Sequence, residues 1–286
     1  MNEFNNLSVL PFYSSLSEQN ARKWWVFGRV YPLFTPVNTL LPFQIMRPHR
    51  NNGITSFKVF TKDGALIGDF TTLINSYISI KSFTDYDVIV FTSQFPLFNT
   101  FSEGQYYAEM KDGIQTWYSE VWTAVQDMSC YLKIQWWDLE DFIMDDGVIV
   151  YKNPAFKNTL YLQADVAKPE YLFEEEVEDR DGYTFPIKQI SEKKYRFSFI
   201  ASEYLLDVMR FIRMSDYVEI YYEGKTFKPD TFLITPEWVN EGDVATVNAE
   251  FQTNTVAKKL GVGYLRPVGG GDFNNDYNND YNNLEE

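Results

Sequence analysis

Two runs of strict alternation, one on each side of residues 202–243, constrain this chain more than any other feature in it. Tyr195, Phe197 and Phe199 alternate with Arg196 and Ser198. Ala245, Val247, Ala249 and Phe251 alternate with Val244, Thr246, Asn248, Glu250 and Gln252. A period of two puts one set of side chains on a single sheet face, so both runs are strands with a buried side. Between them, Leu205, Leu206, Val208, Met209, Phe211 and Ile212 follow helical spacing, with Glu203 near the start and Arg210 and Arg213 near the end. This predicts a helix from Ser202, as its cap, to Met214. Tyr217 to Tyr222 resumes the strand pattern, Glu223-Gly224 marks a tight turn, Thr226 to Ile234 returns, and Glu241-Gly242-Asp243 turns the chain again. The expected unit is an antiparallel sheet with one amphipathic helix laid across it, and Trp238 plugging its end.

Upstream, short alternating stretches follow one another at the spacing of a β-sandwich. The candidates are Ile54 to Phe60, Ala65 to Phe70, Leu73 to Ile80, Val88 to Phe91, Gln105 to Met110, Ile114 to Val121 and Tyr131 to Trp137. Lys62-Asp63-Gly64 and Lys111-Asp112-Gly113 read as hairpin turns. The hairpin from Gly104 to Glu120 resembles the late hairpin of fibronectin- or immunoglobulin-like sandwiches. The fold class expected is mainly β, with β-sandwich domains and an α+β second domain whose helix packs on the second sheet.

Prolines at 11, 32, 36, 42 and 48 forbid long helices and continuous central strands near the N-terminus. Residues 1–50 therefore read as an extended arm, 51–150 as a sandwich and 190–265 as the helix-bearing β domain. Residues 151–189 form an acidic interdomain segment, where Glu170, Glu174, Glu175, Glu176, Glu178, Asp179 and Asp181 face Arg180 as the one base of that run. Like charges this dense predict a solvated loop. Residues 266–286, a glycine run followed by Asn-Asn-Asp-Tyr repeats, read as a disordered low-complexity tail.

The net charge of −15 is unevenly spread. Up to Lys62 the bases Arg22, Lys23, Arg29, Arg47, Arg50, Lys58 and Lys62 outnumber Glu3 and Glu18, giving +5, so the rest carries −20. An acidic body disfavours phosphate contacts, hence no nucleic-acid partner is expected. A basic, aromatic N-terminal segment suits docking on an acidic neighbour, another copy included, which makes Arg22, Lys23, Trp24, Trp25, Arg29, Arg47 and Arg50 the interface candidates. The first residues lack the regions of a signal peptide and no apolar run reaches the length of a span, so a cytoplasm-made chain with no membrane partner is expected. Cys130, the single cysteine, lies beside Tyr131, Leu132 and Ile134 and reads as a buried core thiol.

No catalytic motif appears around His49, the one histidine, so no enzyme, catalytic residue or cofactor is expected. Asp272, Asn274 and Asp276 have the oxygen spacing of a calcium loop, but Tyr277 occupies the position that needs Gly. Asp138, Glu140, Asp141, Asp145 and Asp146 suit a solvated turn as well as a calcium site, and no metal site is expected. In Trp24-Trp25 and Trp136-Trp137, adjacent strand residues point to opposite faces, so at most one of each pair joins a sugar-stacking platform.

Several segments resemble, as a set, structural proteins of the tails and baseplates of tailed phages and prophages of gut Bacteroidota. They are NLSVLPFY at Asn6–Tyr13 with LPFQI at Leu41–Ile45, YLFEEEVEDRDGYTF at Tyr171–Phe185, YLLDVMRFIRMSDYVEI at Tyr204–Ile220 and GDVATVNAEFQTNTVAKKL at Gly242–Leu260. The resemblance implies a virion component of adaptor or hub type, in several copies, assembled with other tail proteins inside the bacterium. The alternative from another class is a glycan-binding or receptor-binding sandwich module.

Overall fold

The computed structural model describes residues 8–21, 33–37, 39–92, 102–144, 147–152, 155–180, 182–238, 244–253 and 257–260. Strands dominate throughout, grouped into several sheets, and helices are few and short.

In the first sheet the strands run Phe12–Tyr13, Thr116–Ser119, Gly104–Lys111, Trp122–Val125 and Phe34–Pro36, with Ser56–Thr61 on the other side of Gly104–Lys111 and Leu66–Asp69 beyond it. A three-stranded sheet pairs Phe43–Pro48 with Tyr86–Phe91 and that with Ile78–Ser82. Four strands, Asn158–Gln163, Tyr131–Trp137, Tyr217–Tyr222 and Lys225–Phe227, form the next. The last runs Glu170–Arg180, Tyr183–Ser202, Val244–Thr253 and Pro229–Trp238, with Ala257–Leu260 also on Tyr183–Ser202.

The alternating runs behave as their periodicity requires. Phe197, Phe199, Val247, Ala249 and Phe251 are buried, while Ser198 and Asn248 on the outer face are exposed and hydrogen-bonded to each other at 2.7 Å. Glu223 and Gly224 both adopt positive φ, 47° and 73°, the two-residue turn whose twist matches a hairpin. The helix is shorter than the apolar spacing predicts. It spans Glu203–Met209 and tightens into a 3₁₀ turn at Ile212–Met214, where the Phe211 amide already bonds to the Val208 carbonyl. Ser202 stands at the cap position, yet its hydroxyl is buried without a hydrogen bond, so the expected side-chain cap is absent. Trp238 is 50% exposed at the end of its strand and plugs nothing.

Several other expectations are corrected. The described parts of residues 1–50 are not an arm: Val9, Leu10, Phe12, Leu33, Leu40, Leu41, Phe43 and Ile45 all lie in the main core. Strands of two to six residues begin just after Pro11 and Pro42 or end on Pro36 and Pro48, so the prolines punctuate these strands and do not exclude them. The boundary expected near residue 150 cuts through a sheet, because Tyr131–Trp137 pairs with Tyr217–Tyr222 and a single apolar cluster runs from Val9 to Phe251. The predicted strand at Leu73 to Ile80 begins as a helix, Thr71–Asn75, where Asp69 accepts the amide and hydroxyl of Thr71 and turns the chain. Cys130 is exposed, since it sits in the turn ahead of the strand that buries Leu132, Ile134 and Trp136. The tail lies outside the described residues.

The largest correction concerns residues 170–180. The acidic run is a strand, Glu170–Arg180, paired along its whole length with the first part of Tyr183–Ser202. Repulsion between carboxylates is offset in part across the pair: Arg196 pairs with Glu170 at 2.7 Å, and the register sets Lys188 opposite Glu176.

Candidate interaction surface

Of the candidate interface residues, Arg22, Lys23, Trp24, Trp25 and Arg29 lie outside the described residues. Arg47 is corrected: its strand turns it inward, and it is buried. Its Nη1 donates to Asp112 Oδ2 at 2.8 Å, its Nε lies 3.4 Å from Asp87 Oδ2, within ion-pair reach but outside hydrogen-bond geometry, and its Nη2 donates to the Asn52 carbonyl. Arg50, partly buried, also donates to Asp112 Oδ2, at 2.7 Å, and its amide donates to Asp87 Oδ2 at 3.0 Å. His49 Nδ1 meets Asp87 Oδ1 at 2.8 Å.

Two guanidiniums thus balance two buried carboxylates. Burial by itself would raise both acids. For Asp112 the amides of Gln115 and Ile114 and the guanidiniums of Arg50 and Arg47 overcome it, and the carboxyl is held below its ordinary value. Asp87 is likewise held low against burial, by Ser82, the Arg50 amide and His49. Chemically this is a clamp joining two strands to the Asp112-Gly113 turn, whose Gly113 takes φ +87°. Every carboxylate oxygen in it is already engaged.

The acids of the 138–146 stretch do not converge. Asp138 accepts the Asp216 amide at 2.7 Å, Glu140 pairs with Lys152, and Asp141 pairs with Lys81 and accepts the Tyr151 amide at 3.2 Å. Asp145 and Asp146 lie outside the described residues, as do Asp272, Asn274 and Asp276. Trp136 and Trp137 split between faces as strand geometry demands: Trp136 is fully buried, and Trp137 stacks on Tyr217 at 5.3 Å between ring centres. The Lys157 ammonium lies 3.7 Å from the Trp137 ring centre, so a ring open enough to stack on a sugar is covered by a cation.

What stands exposed is the hairpin of Glu170–Arg180 and the start of Tyr183–Ser202. The core face of the long strand carries Tyr195, Phe197 and Phe199, and the same face continues outward through Lys193 and Ser191, which stand opposite Tyr171 and Phe173. Tyr171 and Phe173 therefore lie on the apolar side of the sheet beyond the point where the core covers it, and they are 69% and 64% exposed. Lys193 holds its ammonium 5.6 Å from the Tyr171 ring centre. Arg196 ties the base of the hairpin down, pairing with Glu170 at 2.7 Å and Glu250 at 3.5 Å. Sequence reasoning missed this surface, although the signal was present: Tyr171, Phe173 and Val177 share the odd positions, and the bases Lys188, Lys193, Lys194 and Arg196 follow the acids within one strand length.

No protein-family model and no curated protein matches the chain. Among solved structures, a chain in the crystal structure of Dpr2 Ig1-Ig2 in complex with DIP-Theta Ig1-Ig3 aligns with 80% of this chain and 95% of its own length. The identity is 8% and the TM-score 0.14, too little to carry an argument.

Proposed function

We propose that this chain is a structural assembly protein acting through protein–protein contact, as a tail or baseplate component of a phage particle, in several copies beside other tail proteins. The observation that carries the contact role is the Glu170–Arg180 hairpin, which holds two aromatic rings in solvent on the apolar side of a sheet. Exposed rings in a row on a rigid strand offer large contact area at low entropic cost. The phage assignment rests on the resemblance of the segments at 6–13, 41–45, 171–185, 204–220 and 242–260. The glycan-binding reading is the weaker one, because Trp136 is buried and Trp137 is covered by Lys157.

Mass spectrometry of particles purified from a host that carries the encoding prophage tests the assignment. The chain should be present at a fixed ratio to the other tail proteins, and it should be lost with the tails when tail assembly is blocked. Its absence from intact particles would overturn the assignment. Binding on a glycan array that Trp137→Ala removes would favour the alternative.

A further inference from the structure

Glu170–Arg180 is the outermost strand of its sheet: Tyr183–Ser202 pairs along one side of it, and no described strand pairs along the other. An edge of this kind presents backbone donors and acceptors that a further strand can pair with, and this one contains no proline to interrupt them. Its two faces differ in chemistry. On the odd face Tyr171, Phe173 and Val177, the last 51% exposed, are interrupted by Glu175, whose carboxylate accepts from Gln189 Nε2 at 2.5 Å. On the even face positions 170, 174, 176 and 178 carry Glu and position 172 carries Leu. Glu170 is taken by Arg196, whereas the exposed Glu174 and Glu176 side chains make no hydrogen bond or ion pair among the described residues.

A second copy of this strand laid along the edge would set carboxylates beside carboxylates, which cross-strand repulsion opposes. We propose that the edge instead receives an extended segment of a partner protein in which Lys or Arg alternates with apolar residues, lengthening the sheet by one strand. The bases of that segment meet Glu174 and Glu176 on one face, and its apolar side chains pack on Tyr171 and Phe173 on the other. Main-chain bonds supply the affinity and the alternating faces supply the selectivity. This rests on the reading of the chain as a contact protein.

The test uses the full chain and a labelled eleven-residue peptide alternating Lys with Ile, followed by fluorescence anisotropy. Binding should weaken with salt and fall about tenfold or more in the Glu174→Lys/Glu176→Lys variant, since two attractive contacts become repulsive. A peptide with Glu in place of Lys should not bind. Because a strand pairs through one of its edges, N-methylation at all Lys positions and at all Ile positions should have opposite results, one abolishing binding and the other sparing it. Equal binding of the two methylated peptides would overturn strand addition, and equal binding of the Glu peptide would overturn the charge match. If the chain alone sediments as a dimer that the double variant dissociates, the occupant is a second copy and the proposal fails. Peptide binding by a chain absent from particles would sink the phage assignment alone, and a chain present in particles that ignores the peptide would sink this inference alone.

Discussion

Arg47 and Asp112, 65 residues apart in sequence, meet as a 2.8 Å ion pair in which neither side chain retains any solvent exposure. Asp87 and Arg50 complete the cluster, so the strand Phe43–Pro48 is held to its neighbour and to the 112–113 turn by charge as well as by apolar packing. Removing one member of such a group leaves an uncompensated buried charge. Arg47→Met should therefore cost about 3–5 kcal/mol of unfolding free energy in a urea titration. A loss below about 1 kcal/mol would mean that water reaches the two aspartates once the guanidinium is gone.

Acid should act through the same group. Asp87 and Asp112 have folded values held below the ordinary carboxylate value. Their contribution is thus fully present above the unfolded value of about 4 and is lost as pH falls through the lowered folded values. Asp138 works in the opposite sense: burial raises it, so protonating it favours the folded state. Unfolding free energy measured from pH 7 down to 3 should fall below pH 4, and Asp112→Asn should be less stable at pH 7 while losing less on acidification. Parallel pH profiles for the two proteins would show that Asp112 titrates alike in both states.

The N-terminal residues offer a third check. Phe12–Tyr13 pairs with Thr116–Ser119, and Val9, Leu10 and Phe12 are at most 1% exposed. Each such side chain contributes about 1.5–3 kcal/mol by burial, so deleting residues 1–20 removes an amount comparable with the whole stability of a domain. The truncated chain should fail to fold, showing no cooperative thermal transition by circular dichroism. A truncated protein with an unchanged midpoint would show that these residues are dispensable to the core.

What the sequence determined by itself was whatever its local period encodes. The alternation at Tyr195–Phe199 and Val244–Gln252 named the buried faces correctly, and Glu223-Gly224 named its turn, because side-chain period and φ preference act within a few residues. Trp136 and Trp137 were separable onto two faces for the same reason. Only the tertiary structure decided the fate of groups whose partners are remote in the chain. Arg47 read as an interface residue for an acidic neighbour until the fold brought Asp87 and Asp112 around it. The acids of 170–180 read as a loop until the register set Lys194 and Lys188 opposite Glu170 and Glu176. Phe12 and Phe43 read as an arm until their rings met at 4.7 Å in the core. Charge pairing and edge exposure depend on which strand lies beside which, and that is set by contacts across the whole chain.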